Sequence, residues 1–255
     1  MSEKKFSKEE AIRFGWQRMK DNLGFFIVYF IIVLVIQIFF NTFAQLFLNK
    51  LPLLSILFSI GSLLISLIVS LFYIKIGLRL YENEKIGSYD FLSFSVSLLV
   101  KFFLGYLLYI FIVLIGLLFW VIVSEFTILK NHTGIIFLGI LVFLILGIYL
   151  TIKYQFVFYL LADKGTGVIE AFTKSAKMTD GQKWNLFLLI LLYILILFVG
   201  LLALGVGLLV AAPIVMIAQA YVYKKLCLNA VAQSDILVTN TGSIDNAFQT
   251  PNSSS

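Results

Sequence analysis

Six long apolar stretches, almost free of charge, constrain this chain more than anything else in it. They cover residues 23–48, 53–74, 98–123, 134–158, 185–203 and 206–223. A helix crossing the hydrocarbon core needs about 20 apolar residues, and each stretch meets that length or comes close. The last two form one run, divided by the glycine-rich break Gly200-Leu-Leu-Ala-Leu-Gly205-Val-Gly207. At ~1.5 Å per residue that run is too long for one span and enough for two. Pro213 falls early in the sixth stretch, where neighbouring helices can satisfy the carbonyl it frees.

Composition agrees. Hydrophobic residues make up 61% of the chain, whereas soluble domains sit near 45–50%. One water-soluble core cannot bury that excess, so lipid must cover it. The fold class expected is all-α integral membrane, with six transmembrane helices.

The first stretch, Leu23 to Leu48, exceeds the ~7–15 residues of a signal-peptide core, and no small-x-small cleavage site follows. It is expected to be the first span. The single cysteine, Cys227, excludes an intramolecular disulfide.

Charge sets the expected orientation. Of 19 Lys and Arg, 17 fall on one side of the alternating loops; Lys50 and Lys130 alone fall on the other. The positive-inside rule then places both termini in the cytoplasm. Trp16 and Trp184 precede spans on the inner side and Trp120 closes the third on the outer side, as interfacial tryptophans do. The formal charge of +6 reads as topology signal and attraction to anionic lipid head groups. No nucleic-acid partner is expected, because no water-soluble basic face is on offer.

An internal repeat of 80 residues suggests how the spans are organised. Glu10-Ala-Ile-Arg-Phe-Gly-Trp16, Asp90-Phe-Leu-Ser-Phe-Ser-Val96 and Glu170-Ala-Phe-Thr-Lys-Ser-Ala176 each open on an acid and carry Gly or Ser at the sixth position. Gly87 and Gly167 precede the second and third at one offset. Three units are expected, about 1–74, 75–160 and 161–228, each an amphipathic cytoplasmic helix followed by a transmembrane hairpin. Together they form a membrane domain over 1–228. The polar segment 229–255 is expected to be a disordered cytoplasmic tail.

The first short helix has its own signature. Ser7 and Glu10 form an S-x-x-E capping box. Ala11, Ile12, Gly15, Trp16, Met19 and Leu23 share one face, with Arg13, Gln17 and Lys20 toward the other. Such a helix either lies in the head-group layer or packs under the bundle.

Gly167-x-x-Glu-Ala-Phe172, followed by Lys183-Trp184-Asn185 at the fifth span, resembles a loose group of six-pass bacterial membrane proteins of unknown function. A similar module forms the membrane domain of some glycerophosphodiester phosphodiesterases. The resemblance covers about 1–228 and implies a bacterial inner-membrane setting. No phosphodiesterase segment follows, so it implies no hydrolysis.

Motifs for chemistry are weak, and neither enzyme activity nor a cofactor or metal is expected. His132 is the only histidine, and zinc needs three or four converging ligands. Asp163-Lys164-Gly165-Thr166-Gly167 lacks the spacing of a phosphate loop and reads as a connection. The acids lie outside the spans, unlike those of most ion-coupled transporters. Asp90, Asp163, Glu170 and Asp180 are the only supply for a lipid enzyme, the lowest-ranked class.

The most specific intramembrane feature is neutral. Gln37, Asn41 and Gln45 repeat every four residues on the first span; Ser55, Ser59, Ser62, Ser66 and Ser70 form a stripe on the second. Folding the hairpin about residue 50 brings Gln45 level with Ser55, Asn41 with Ser59, and Gln37 with Ser62 or Ser66. This is either helix-packing glue or a polar groove. The function expected is a non-enzymatic, lipid-interacting or scaffolding membrane protein, with anionic lipids as partners and a membrane protein as a further candidate partner. The alternative is a transporter or permease component for an apolar or amphipathic solute.

Overall fold

The computed structural model describes residues 6–84, 95–128, 133–203 and 205–248. All the described regular structure is helical. In chain order the helices are α1 Lys8–Asp21, α2 Leu23–Phe47, α3 Pro52–Tyr81, α4 Val96–Ile128, α5 Thr133–Tyr154, α6 Val157–Lys164, α7 Val168–Thr179, α8 Lys183–Leu202 and α9 Leu208–Phe248. Six spans are long and apolar enough to cross a membrane, the fourth running through α5 and α6. The chain is an integral, multi-pass membrane protein.

Most of the outward surface is bare hydrocarbon. Val28, Ile32, Val35 and Ile38 on α2 and Leu191, Leu195 and Phe198 on α8 are all more than half exposed. In water these rows would be an aggregation surface; in a bilayer they face acyl chains. The sixth span differs. Half of its apolar window is buried, against 11% in each of the first three. α9 is the pillar on which α1, α2, α3, α7 and α8 pack.

Small residues explain why so many helices can reach it. Without a hydrophobic drive between helices in lipid, close backbone approach and van der Waals contact must hold them together. Three glycines of other helices face three alanines of α9. A Cβ on Gly200 of α8 would lie 2.8 Å from Ala211 Cβ, and one on Gly77 of α3 would lie 3.1 Å from Ala220 Cβ. One on Gly15 of α1 would meet the Ile214 carbonyl oxygen at 2.5 Å and the Ala218 nitrogen at 3.3 Å.

α1 is therefore part of the packed bundle. Ala11, Gly15 and Met19 are buried on it, while Arg13, Trp16, Gln17 and Lys20 stay exposed. Trp16 and Leu23, expected on the inward face, are 45% and 38% exposed, because the contact narrows to the small-residue line that fits α9. Ser7 Oγ accepts from the Glu10 N–H (3.3 Å) as an N-cap should. The Glu10 carboxylate does not complete the expected box; it accepts from the Tyr221 hydroxyl of α9 at 3.0 Å. A charge-assisted tertiary bond has displaced a local one.

α7 plays a matching part elsewhere. It buries Ala171, Phe172, Ser175 and Thr179, so 11, 15 and 19 on α1 correspond to 171, 175 and 179 on α7. The middle segment with Gly87 and Asp90 lies outside the described residues. The Gly167 N–H at the start of α7 donates to Glu170 Oε2 (3.4 Å). A hydrogen bond from Lys174, helped by that N–H, holds the Glu170 carboxyl below its usual range. Any support it gives α7 is therefore present at neutral pH and fades as pH falls through that lowered value.

The fourth span breaks at Gln155–Phe156, inside the stretch expected to be continuous. α7 repairs the break. Ser175 Oγ donates to the Lys153 carbonyl (2.9 Å) and accepts from the Phe156 N–H (3.3 Å). Thr179 Oγ1 adds a bond to the same carbonyl. Backbone groups freed inside a membrane protein must find such partners.

α3 continues seven residues beyond the expected end of its span, to Tyr81, because Ile76, Leu78 and Leu80 are buried at the bundle's base. α9 likewise runs to Phe248, past the boundary at 228 where disorder is expected. Extending a helix already nucleated adds one bond per residue without a new nucleation cost.

Candidate functional site

The polar face of the first hairpin resolves into two parts. Gln37 is its centre: Nε2 donates to Ser66 Oγ (2.9 Å), and Oε1 accepts from Ser62 Oγ (3.1 Å). These bonds cross from α2 to α3. Ser55 crosses as well, whereas Asn41 and Ser59 bond within their own helices. Asn41 Nδ2 donates back to the Gln37 carbonyl (2.8 Å). Ser55 Oγ donates to the Ala44 carbonyl (2.8 Å), and Ser59 Oγ to the Ser55 carbonyl (2.9 Å). Gln45 is exposed, and among the described residues its side chain bonds to none. A hydroxyl reaches the carbonyl one turn back without any partner helix, so level matching alone cannot decide where it bonds.

The far side of Gln37 and Asn41 borders a cleft between α2 and the start of α9. It has a volume of about 660 Å³ and walls that include Phe30, Val33, Leu208 and Leu209. No donor among the described residues reaches the Asn41 side-chain oxygen. The two amides thus differ in role: Gln37 ties helices together, and Asn41 offers an acceptor to the cleft.

That difference is measurable. Gln37→Leu removes two interhelical bonds, each worth ~0.6–2 kcal/mol, and should lower the thermal midpoint in detergent. Asn41→Leu loses only intrahelical bonds and should change it much less. Equal losses from the two substitutions would contradict this division.

A second polar constellation sits at the base, assembled from residues far apart in sequence. Asp163 of α6 accepts from Tyr223 Oη (2.9 Å) and Lys224 Nζ (2.8 Å) of α9. Lys224 also reaches Glu82, which caps α3, at 2.7 Å. Aromatic groups frame both tyrosine contacts. Phe14, Tyr81 and Tyr221 meet with ring centroids 5.2–5.9 Å apart. Tyr159 lies 5.3 Å from Tyr223 by the same measure. Of this cluster the sequence singles out Asp163 alone; its partners come from α3 and α9, far away in the chain. The 163–167 segment is a helix connection: Gly165 adopts φ 60° as the C-cap of α6, a left-handed conformation that glycine takes without a Cβ penalty.

Deeper in the bundle, Gln219 Nε2 of α9 donates to Gln155 Oε1 (3.0 Å) at the break in the fourth span. The Tyr193 hydroxyl and Gln219 Oε1 are buried without a hydrogen-bond partner. Cys227 is a free, buried thiol. Among the described residues, no three His, Cys, Asp or Glu side chains gather where a metal could bind. His132 and Asp90 fall outside the described residues.

No family model matches the chain, and neither a curated protein nor a solved structure does. What the protein does must be argued from its own surfaces.

Proposed function

We propose that this protein is a non-enzymatic component of the bacterial inner membrane that recruits anionic lipid at its basic end, with both termini in the cytoplasm. The observation that carries the reading is the pairing of exposed aromatic and cationic groups at that end. Trp16 is 45% and Trp184 69% exposed. Lys20 Nζ lies 5.6 Å from the Trp16 ring centre, and Arg13 projects from the same exposed side of α1. Trp184 stacks on Phe187 directly after Lys183. Amphipathic rings at head-group level beside cations suit a negatively charged leaflet. The corresponding buried positions of α1 and α7 support three repeated units, each setting a short helix beneath a hairpin.

The test uses the full chain in bilayer discs containing equal amounts of phosphatidylglycerol and phosphatidylcholine. Native mass spectrometry then reads which lipids stay bound. Enrichment of the anionic lipid over the bulk ratio is expected, and retention at the bulk ratio would end this reading. Deleting residues 1–22 is the wrong experiment, because α1 belongs to the packed bundle. A second reading, passage of an apolar or amphipathic solute, is favoured by the α2–α9 cleft and its unpaired Asn41 acceptor. It requires solute movement across sealed vesicles that Asn41→Leu abolishes.

A further inference from the structure

A cleft of about 530 Å³ opens at the base between α4, α5, α7 and the start of α8. Its two ends differ in chemistry. Leu108 and Ile112 of α4 line one part, with Ile169 and Phe172 of α7 opposite. Lys153, Lys177 and Lys183 line the other, together with Asp180. Asp180 is already committed to Lys183, at 2.9 Å. No carboxylate among the described residues lies within ion-pair distance of Lys153 or Lys177. The cleft therefore carries two uncompensated cations beside an apolar wall.

Two of the lysines, Lys153 and Lys183, are held where they are. Lys153 Nζ lies 5.9 Å from the Tyr149 ring centre and 5.3 Å from that of Tyr154; Lys183 Nζ lies 5.2 Å from the Tyr149 ring centre. Aromatic faces attract a cation without supplying a counter-charge, so Lys153 still lacks an anionic partner among the described residues. The segment that carries Lys153 is fixed as well, since its carbonyl accepts from Ser175 and Thr179. The break in the fourth span thus directly follows Lys153 and Tyr154, which line the cleft, and is braced by the helix that forms its wall.

We infer that this cleft binds one anionic phospholipid, its phosphate between Lys153 and Lys177 and an acyl chain along Leu108, Ile112 and Ile169. The inference rests on the lipid-recruiting function proposed above and gives it an address. Charge complementarity selects the head group. Continuity of the apolar wall with the exposed surface of α4, where Leu107 and Phe111 are 47% and 60% exposed, selects a lipid over a soluble anion. Ile169 is 77% exposed, an apolar side chain left uncovered at the rim until something apolar lies on it.

Full-length wild type, Lys153→Gln/Lys177→Gln and Ile169→Glu are compared in equimolar phosphatidylglycerol and phosphatidylcholine discs, with retained lipid read by native mass spectrometry. A basic residue near an anionic surface contributes about fivefold to lipid preference, so the double variant should lose roughly 30-fold of the anionic enrichment. Ile169→Glu, which leaves every lysine in place and sets a carboxylate in the cleft, should also release the lipid. A large excess of inorganic phosphate should not displace it from wild type. Unfolding midpoints within experimental error of wild type establish that the variants are folded; all three positions lie on the cleft surface. Wild type without anionic enrichment overturns the functional reading itself. Wild-type enrichment that both variants keep overturns only this site. Displacement by inorganic phosphate overturns the lipid and makes the cleft a soluble-anion site.

Discussion

Gly15→Ala should destabilise the protein, although alanine is the better helix former. Local propensity favours the substitution by ~1 kcal/mol in the middle of α1. The tertiary contact opposes it. The added methyl carbon would sit 2.5 Å from the Ile214 carbonyl oxygen, with the Ala218 nitrogen at 3.3 Å. Both are backbone atoms of the pillar helix, so no rotamer change can make room; α1 must move away from α9. Overpacking of this kind costs about 1–3 kcal/mol, and here the shift also threatens the Glu10–Tyr221 bond at the other end of the contact. Set against the propensity gain, a net loss of up to about 2 kcal/mol is expected, seen as a lower unfolding midpoint in one detergent. Gly24→Ala is the matched control. No atom lies within 4 Å of a Cβ there, so only the propensity gain remains and stability should hold or rise. If Gly15→Ala is as stable as Gly24→Ala, α1 does not pack on α9 as described.

The same glycines show which part of the fold a sequence can display. Span number follows from apolar length, and the turn before α9 follows from Gly205 and its neighbours. Small residues in the last hairpin signal close packing, and Gly200 against Ala211 supplies it. Span six has the lowest mean hydropathy of the six candidates, which hints at a helix shielded from lipid, but hydropathy does not say which helices pack on it. Its alanines matter only against Gly15, Gly77 and Gly200, which lie 11 to 203 positions away in the chain. The break at Gln155–Phe156 is hidden for a similar reason. It has neither Pro nor Gly, and the hydroxyls that satisfy it belong to α7. On the polar face, spacing identifies the stripe and places Gln37 level with Ser62 and Ser66. It does not reveal that Asn41 and Ser59 bond within their own helices, since a side chain's choice between its own turn and a neighbour depends on local distance. The lysine cleft is invisible in sequence altogether, as its walls come from four helices and its cations from segments read as topology signals.

The largest single loss is expected from Asp163→Ala. Asp163 and Lys224 are 19% and 15% exposed at their side chains, so each has surrendered most of its hydration and depends on the other. Removing the carboxylate strands Lys224 on Glu82 and takes the acceptor from Tyr223 Oη, whose residue is fully buried. Breaking a buried pair from one side costs about 3–5 kcal/mol, because the remaining charge keeps its desolvation penalty; this pair is part-buried and Lys224 retains Glu82, so a loss at the lower end of that range is expected. Tyr223→Phe removes one hydrogen bond and leaves the ion pair, so about 1 kcal/mol is expected. Glu82→Gln should cost less than about 1 kcal/mol, since that carboxylate is 46% exposed and water can take its place. The order Asp163→Ala, Tyr223→Phe, Glu82→Gln is thus set by burial rather than by contact distance, which would put Glu82 first at 2.7 Å. Lys224→Met gives the decisive combination. With Asp163→Ala it removes both charges of the pair and strands neither, so the double variant should be more stable than Asp163→Ala alone. Chemical or thermal unfolding of the set in one detergent reads the ranking. Additive losses in the double variant would mean that the two groups are solvated independently and that the base of α6 is not tied to α9 through them.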